Sequence, residues 1–246
     1  MDGTLSMKKD TKKTPGKTPL FPAAIFYCIS AIGIFVYELA VVHPRLQLGP
    51  AQQLLLLALF CICFYSGSRS LCRMPGIQAS RCMKITFFIF FLLYLQLLFT
   101  FTLFEPAFGR RGAAVTLFSD PKQWRLNLKN ACNLLPFSTV SAYLKAYFSH
   151  NIRFSVVATN LFGNLLALAP MALFLPLLFK RCRRFFPFLL TVSAIVLCIE
   201  LLQLIFMVGS FDVDDLILND LGACLLFWIL KCRPVNRWLR SVTYMQ

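Results

Sequence analysis

The sequence predicts an all-α fold, a polytopic transmembrane helix bundle of about six spans. Hydrophobic residues make up 58% of its 246 residues and charged residues only 14%, a balance that is untypical of a water-soluble domain of this size. The apolar residues are grouped in runs of roughly 20, the length at which a helix crosses a bilayer. Clusters of Lys and Arg separate these runs. We therefore expect a multi-pass protein of the plasma membrane.

The predicted segments follow in chain order. Residues 1–19 are too polar to pack a core and are predicted to form a disordered basic tail. Three spans fill 20–104, the first as a retained signal anchor. A polar loop, 105–153, precedes a three-span core over 154–231, and 232–246 form a second tail. The six spans are predicted at about 20–42, 51–68, 84–104, 155–179, 185–208 and 214–230.

The distribution of charge predicts the orientation. A formal net charge of +15 would suit a nucleic-acid partner, but the basic residues lie in short clusters between spans without any nucleic-acid motif, so none is expected. If the N-terminus is cytoplasmic, most of the 25 Lys and Arg fall on the cytoplasmic side, as membrane proteins prefer. Both termini are then cytoplasmic, and the loop 105–153 is extracytoplasmic.

Polar residues of the core are predicted to share one depth near the outer surface. A carboxylate such as Glu200 costs about 2.5–3.5 kcal/mol in a lipid-facing helix, so we expect it to face protein or water. Helical spacing places Gln203 on nearly the same face. The loop stretch 124–137 suits an interfacial segment, or else a solvated connector. The pocket candidates are Asn133, Asn160, Asn164, Glu200, Gln203, Asp212, Asp214, Asp215 and Asn219.

Structural explanations compete with a functional one. Amides such as those of Asn160 and Asn164 often only bond a neighbouring membrane helix. Asp212 and Asp214 precede or begin a helix, where acids offset the helix dipole. Together with Asp215 they also form an oxygen-only set that would suit Mg²⁺ or Ca²⁺. No His or Cys accompanies them, and neither a metal site nor a cofactor is assigned.

Four stretches stand out by their order and spacing: Asn133-Leu-Leu-Pro136-Phe137, Asn160-Leu-Phe-Gly163-Asn164 with Pro170 and Pro176, Glu200-Leu-Leu-Gln203, and Phe211-Asp212-Val-Asp214-Asp215-Leu-Ile-Leu-Asn219-Asp-Leu-Gly222. Taken together, they resemble the VanZ-like family of bacterial membrane proteins. One departure is Gly209, where the family commonly has an Arg. The resemblance implies a role in the cell envelope, since the founding member is associated with resistance to the glycopeptide teicoplanin.

Two main functions follow from these observations. In the first, an outward-facing polar pocket engages a lipid-linked envelope component, such as a cell-wall precursor, or a lipophilic glycopeptide, and contributes to teicoplanin-type resistance. In the second, the protein is a membrane-embedded enzyme that modifies an envelope lipid or glycan carrier, with Glu200 as general acid or base. A small transporter is disfavoured because the inner halves of the last three spans lack polar residues. The expected partners include the lipid bilayer itself.

Overall fold

A computed structural model describes residues 20–42, 48–104, 131–206 and 208–244. The predicted tail 1–19 and the loop stretch 105–130, with most of the proposed interfacial segment, lie outside the described residues. The described residues form an all-α bundle, which confirms the predicted fold class. Its elements are α1 (Leu20–Val42), α2 (Pro50–Leu71), α3 (Ala79–Leu103), β1 (Cys132–Asn133), α4 (Ser138–Phe148), α5 (Phe154–Ala167), α6 (Met171–Leu178), a 3-10 turn (Lys180–Arg183), α7 (Phe185–Ile205), β2 (Phe211–Asp212), α8 (Val213–Lys231) and α9 (Arg233–Thr243).

Five segments of the described chain are long and apolar enough to cross a membrane. They comprise α1 to Leu39, α2, α3, the joined segment Phe154–Leu178 and α7. The predicted sixth span corresponds to α8, which has 19 residues. Three Asp residues lie in α8, so composition alone does not qualify it as a span. Its crossing of the bilayer stays a prediction.

The predicted fourth span is two helices, α5 and α6. The break falls at Leu168–Pro170, because Pro170 has no backbone N–H and disfavours helical geometry in the residue before it. The turn is closed by short-range bonds, from the Met171 N–H to the Leu168 carbonyl at 3.0 Å and from the Ala172 N–H to the Ala169 carbonyl at 3.0 Å. The chain therefore bends in mid-span and α6 packs separately against α3 and α8.

The core lies between α3, α6, α7 and α8. Phe188 of α7 stacks on Phe227 of α8 with ring centroids 4.4 Å apart, and both are almost fully buried. Met83, Met171 and Val192 are completely buried in the same cluster. Because the first part of α7 meets the last part of α8, these two helices run antiparallel.

Hydrogen bonds define the two ends of the bundle. At one end, which we call the acidic end, the Gln203 side-chain amide donates to the Thr102 carbonyl at 3.0 Å, so the last turns of α3 and α7 meet. At the other, the basic end, the Tyr65 hydroxyl of α2 donates to the Val242 carbonyl at 3.0 Å. The helix α9, which the sequence analysis treated only as part of a tail, is therefore fixed to the basic end.

Candidate functional site

A short strand pair brings the segment after the loop to the start of α8. Cys132 pairs with Phe211 and Asn133 pairs with Asp212 in parallel register. The Phe211 N–H also donates to the Ala131 carbonyl at 2.8 Å. Two stretches of chain that are far apart in sequence therefore meet at the acidic end.

Asp214 lies in the first turn of α8, but its side chain caps the start of another helix, α4. Its carboxylate accepts from the backbone N–H of Phe137, of Thr139 at 2.8 Å and of Val140 at 3.0 Å, the orphan donors at the start of α4. Phe137 has φ of 64°, a left-handed conformation that is uncommon for a bulky residue. Because the side chain of Asp214 is only 1% exposed, these bonds are shielded from water. The carboxylate therefore stabilises both the turn and the start of α4.

Asp212 connects the strand pair, α4 and α7. It caps α8 by accepting from the Asp214 N–H at 2.9 Å. Its carboxylate also accepts from the Thr139 hydroxyl and from the Asn133 side-chain amide, the latter at 3.3 Å. The Asp212 backbone N–H in turn donates to the Glu200 carboxylate at 3.3 Å. This bond places Glu200, which is buried, against the first turn of α8.

Asp215 joins α8 to α5. Its carboxylate accepts from the side-chain amide of Asn164, and its carbonyl accepts from the side chain of Asn219 at 2.8 Å. Close helix contact accompanies this bond: a Cβ added at Gly222 would lie 2.7 Å from the carbonyl carbon of Leu165 and closer still to its oxygen. Gly222 therefore lets the two backbones approach each other, as small residues commonly do between membrane helices.

Glu200, Asp212, Asp214 and Asp215 are called the acidic cluster below. The structure brings most of the predicted polar residues to this cluster, but not all of them. Asn160 donates to the Val156 carbonyl of its own helix at 2.8 Å and is exposed, while Gln203 bonds α3. Among the described residues no group of three or more His, Cys, Asp or Glu could hold a metal ion. Asp212 and Asp214 instead accept from helix amides.

Two residues of α4 belong to the site although the sequence analysis did not select them. Thr139 bonds Asp212 through its hydroxyl and Asp214 through its N–H. Partial burial raises the pKa of Tyr143 above its ordinary value of 10.0, and the nearby carboxylates of Asp215 and Asp212 act in the same direction. The Ser138–Thr139 pair after Pro136 was the available signal, since Ser and Thr favour helix starts.

The exposed edge of the site is apolar. Leu134 and Leu135 are 65% and 72% exposed, and Phe137 is 64% exposed. They lie in the same turn whose backbone binds Asp214. Buried carboxylates and exposed large apolar side chains are therefore neighbours at the acidic end.

A bundle of membrane-length apolar helices with carboxylates buried at one end defines a multi-pass α-helical membrane protein. Residues 88–235 match the model of the VanZ/LLP1 family, and the chain belongs to that family. The match begins within α3, upstream of the motifs that indicated the family, and α3 packs against the same core as α6, α7 and α8. No curated protein and no solved structure matches the chain.

Proposed function

We propose that this VanZ/LLP1-family protein binds a lipid-linked cell-envelope component or a lipophilic glycopeptide at the outer membrane surface, and so contributes to resistance against teicoplanin-type glycopeptides. The observation that carries the proposal is the acidic cluster beneath an exposed apolar turn. A ligand with a polar headgroup and a lipid chain would match these two features, with the headgroup at the carboxylates and the lipid chain at the apolar turn. The link to glycopeptides comes from the family resemblance.

The polar part of such a ligand would meet the acidic cluster from the side of α4. The segment 131–140 covers Asp212 and Asp214, and it is held there by hydrogen bonds and by a two-residue strand pair. Leu134, Leu135 and Phe137 of this segment offer the surface for the lipid part. Displacement of the segment would open the carboxylates to the ligand headgroup, where they would accept hydrogen bonds from hydroxyl and amide groups.

Glu200 is the residue on which this proposal is tested. Glu200→Gln keeps the size of the side chain and removes its charge, so membrane abundance should stay near that of the parent. Resistance should fall, because an amide replaces the acceptor-only carboxylate in the site. The measurement is teicoplanin susceptibility of a host that expresses each variant, together with membrane abundance and melting temperature in detergent.

Glu38→Gln is the matched control. Glu38 is also a glutamate within an apolar helix, but it accepts from the Gln96 side chain at 2.7 Å, and α1 precedes the family match. We expect Glu38→Gln to keep the resistance of the parent. If Glu200→Gln equals the parent in both susceptibility and abundance, the charge of Glu200 has no function and the cluster serves to hold the helices together.

An enzyme is the second candidate. The observation in its favour is that Glu200 is a buried carboxylate that accepts from the Asp212 backbone N–H at 3.3 Å, so a group able to transfer a proton is held in a fixed position at the site. Mass spectrometry of envelope lipids and glycans from cells with and without the protein separates the two functions. A changed mass supports turnover, whereas unchanged masses with altered susceptibility support binding.

A further inference from the structure

A cavity of about 220 Å³ lies at the basic end, away from the acidic cluster. It is partly open and is lined by α6, α8, α9 and Arg183 of the 3-10 turn. Much of its wall is apolar, formed by residues such as Pro176, Leu177, Phe227, Leu230 and Leu239. A partly open cavity with such a wall suits an apolar chain.

Three basic side chains, Arg183, Lys231 and Arg240, line the cavity and are exposed; we call them the rim residues. Arg183 donates through its Nε to the Pro176 carbonyl at 3.3 Å, and Arg240 donates through its Nε to the Asn236 side chain at 2.9 Å. Within the described part of the chain, the terminal nitrogens of both guanidinium groups have no hydrogen-bond partner. Arginine offers such paired donors to phosphate oxygens in a fixed, planar geometry.

The positive charge at the rim is not balanced by the carboxylates of the described chain. The acidic cluster lies at the opposite end, and Glu38 is bonded to Gln96. Asp220 accepts from the Ser193 hydroxyl at 2.6 Å, between α7 and α8. A negatively charged ligand is therefore the electrostatic complement of the rim.

The cavity lies at the end of the bundle, at the level where a headgroup layer is expected. Its lining includes Leu177 near the end of α6 and Lys231 at the end of α8. The short helix α9 bounds it, with Thr243 fully buried and Trp238 62% exposed. A basic helix with an exposed Trp is typical of a segment in the membrane interface.

We propose that this cavity binds an anionic phospholipid of the surrounding bilayer, with its phosphate at the rim residues and an acyl chain along the apolar wall. Basic pockets between helix ends bind anionic headgroups in this way. The site is distinct from the acidic cluster and does not depend on the function proposed for it. Its effect would be to tie α9 to α6 and α8 through a bound lipid.

The test uses the full chain purified in mild detergent and three probes: phosphatidylglycerol, phosphatidylcholine with the same acyl chains, and inorganic phosphate. Binding is measured by native mass spectrometry and by the shift in melting temperature. We expect the parent to bind phosphatidylglycerol and neither of the other two. Substitution of all three rim residues by Gln should raise the dissociation constant for phosphatidylglycerol by roughly 100-fold. Each basic residue near an anionic headgroup lowers that constant by about fivefold, and the three factors multiply.

A matched variant with Arg73→Gln, Arg81→Gln and Lys84→Gln removes three exposed basic residues at the same end, one from the connection between α2 and α3 and two from the first turns of α3. It should bind phosphatidylglycerol like the parent. Equal losses in the two triple variants would overturn the proposal in favour of unspecific attraction. Equal binding of phosphatidylcholine, or binding of inorganic phosphate as tight as that of the lipid, would also overturn it. If the triple rim variant does not fold, Lys231→Gln alone should lose about fivefold, and an unchanged affinity would refute the site.

Discussion

Gly222→Ala tests the close contact between α5 and α8 on which the position of Asp215 depends. The added Cβ would lie 2.7 Å from the carbonyl carbon of Leu165, where ordinary contact begins at 3.4 Å, so the helices must separate by roughly 0.7 Å or more. Such overpacking costs about 1–3 kcal/mol. The hydrogen bond from Asn164 to Asp215 would lengthen with the same movement.

Gly163→Ala is the control, because Gly163 lies in α5 and a Cβ there meets no atom within 4 Å. That change should stabilise the helix by about 0.5–1 kcal/mol, as Ala loses less backbone freedom than Gly. The two variants should therefore differ in free energy of unfolding by about 2–4 kcal/mol. The assay is equilibrium unfolding in mixed detergent micelles. If Gly222→Ala is as stable as Gly163→Ala, the packing of α5 on α8 described above is wrong.

Two further predictions concern Asp214 and the orientation of the chain. Asp214→Ala should destabilise the protein by at least about 2 kcal/mol, because three N–H groups lose their acceptor. It should also expose the first amides of α4 to hydrogen exchange. Asp214→Asn keeps one acceptor oxygen and should therefore destabilise the protein less. If the amides at the start of α4 exchange equally fast in the parent and in Asp214→Ala, Asp214 does not cap α4. In a variant without the other nine Cys, we expect Cys132, which is exposed, to react in intact cells with a membrane-impermeant thiol reagent. Reaction only after lysis would place the acidic end on the cytoplasmic side.

The sequence indicated which segments carry the candidate site residues, but not the hydrogen bonds among them. Gln203 was expected on nearly the same helical face as Glu200, because helical spacing decides which residues share a face. Helical spacing does not decide which neighbour that face meets. The structure also joins α3 to α1, because the Gln96 side-chain amide donates to the Glu38 carboxylate at 2.7 Å. Asn160, expected in the pocket, bonds its own helix instead.

By itself, the sequence determined the fold class and the multi-pass character, because runs of roughly 20 apolar residues must bury their backbone polar groups in helices within a bilayer. It also indicated the family, which the match over residues 88–235 confirms. Only the tertiary structure decided that Asp214 caps α4. An isolated helix of 11 residues is marginal in water, and the acceptor for its first amides comes from a residue more than 70 positions away. Such a partner depends on the parallel pairing of Asn133 with Asp212 and on the turn at Phe137, and neither local periodicity nor composition encodes that geometry.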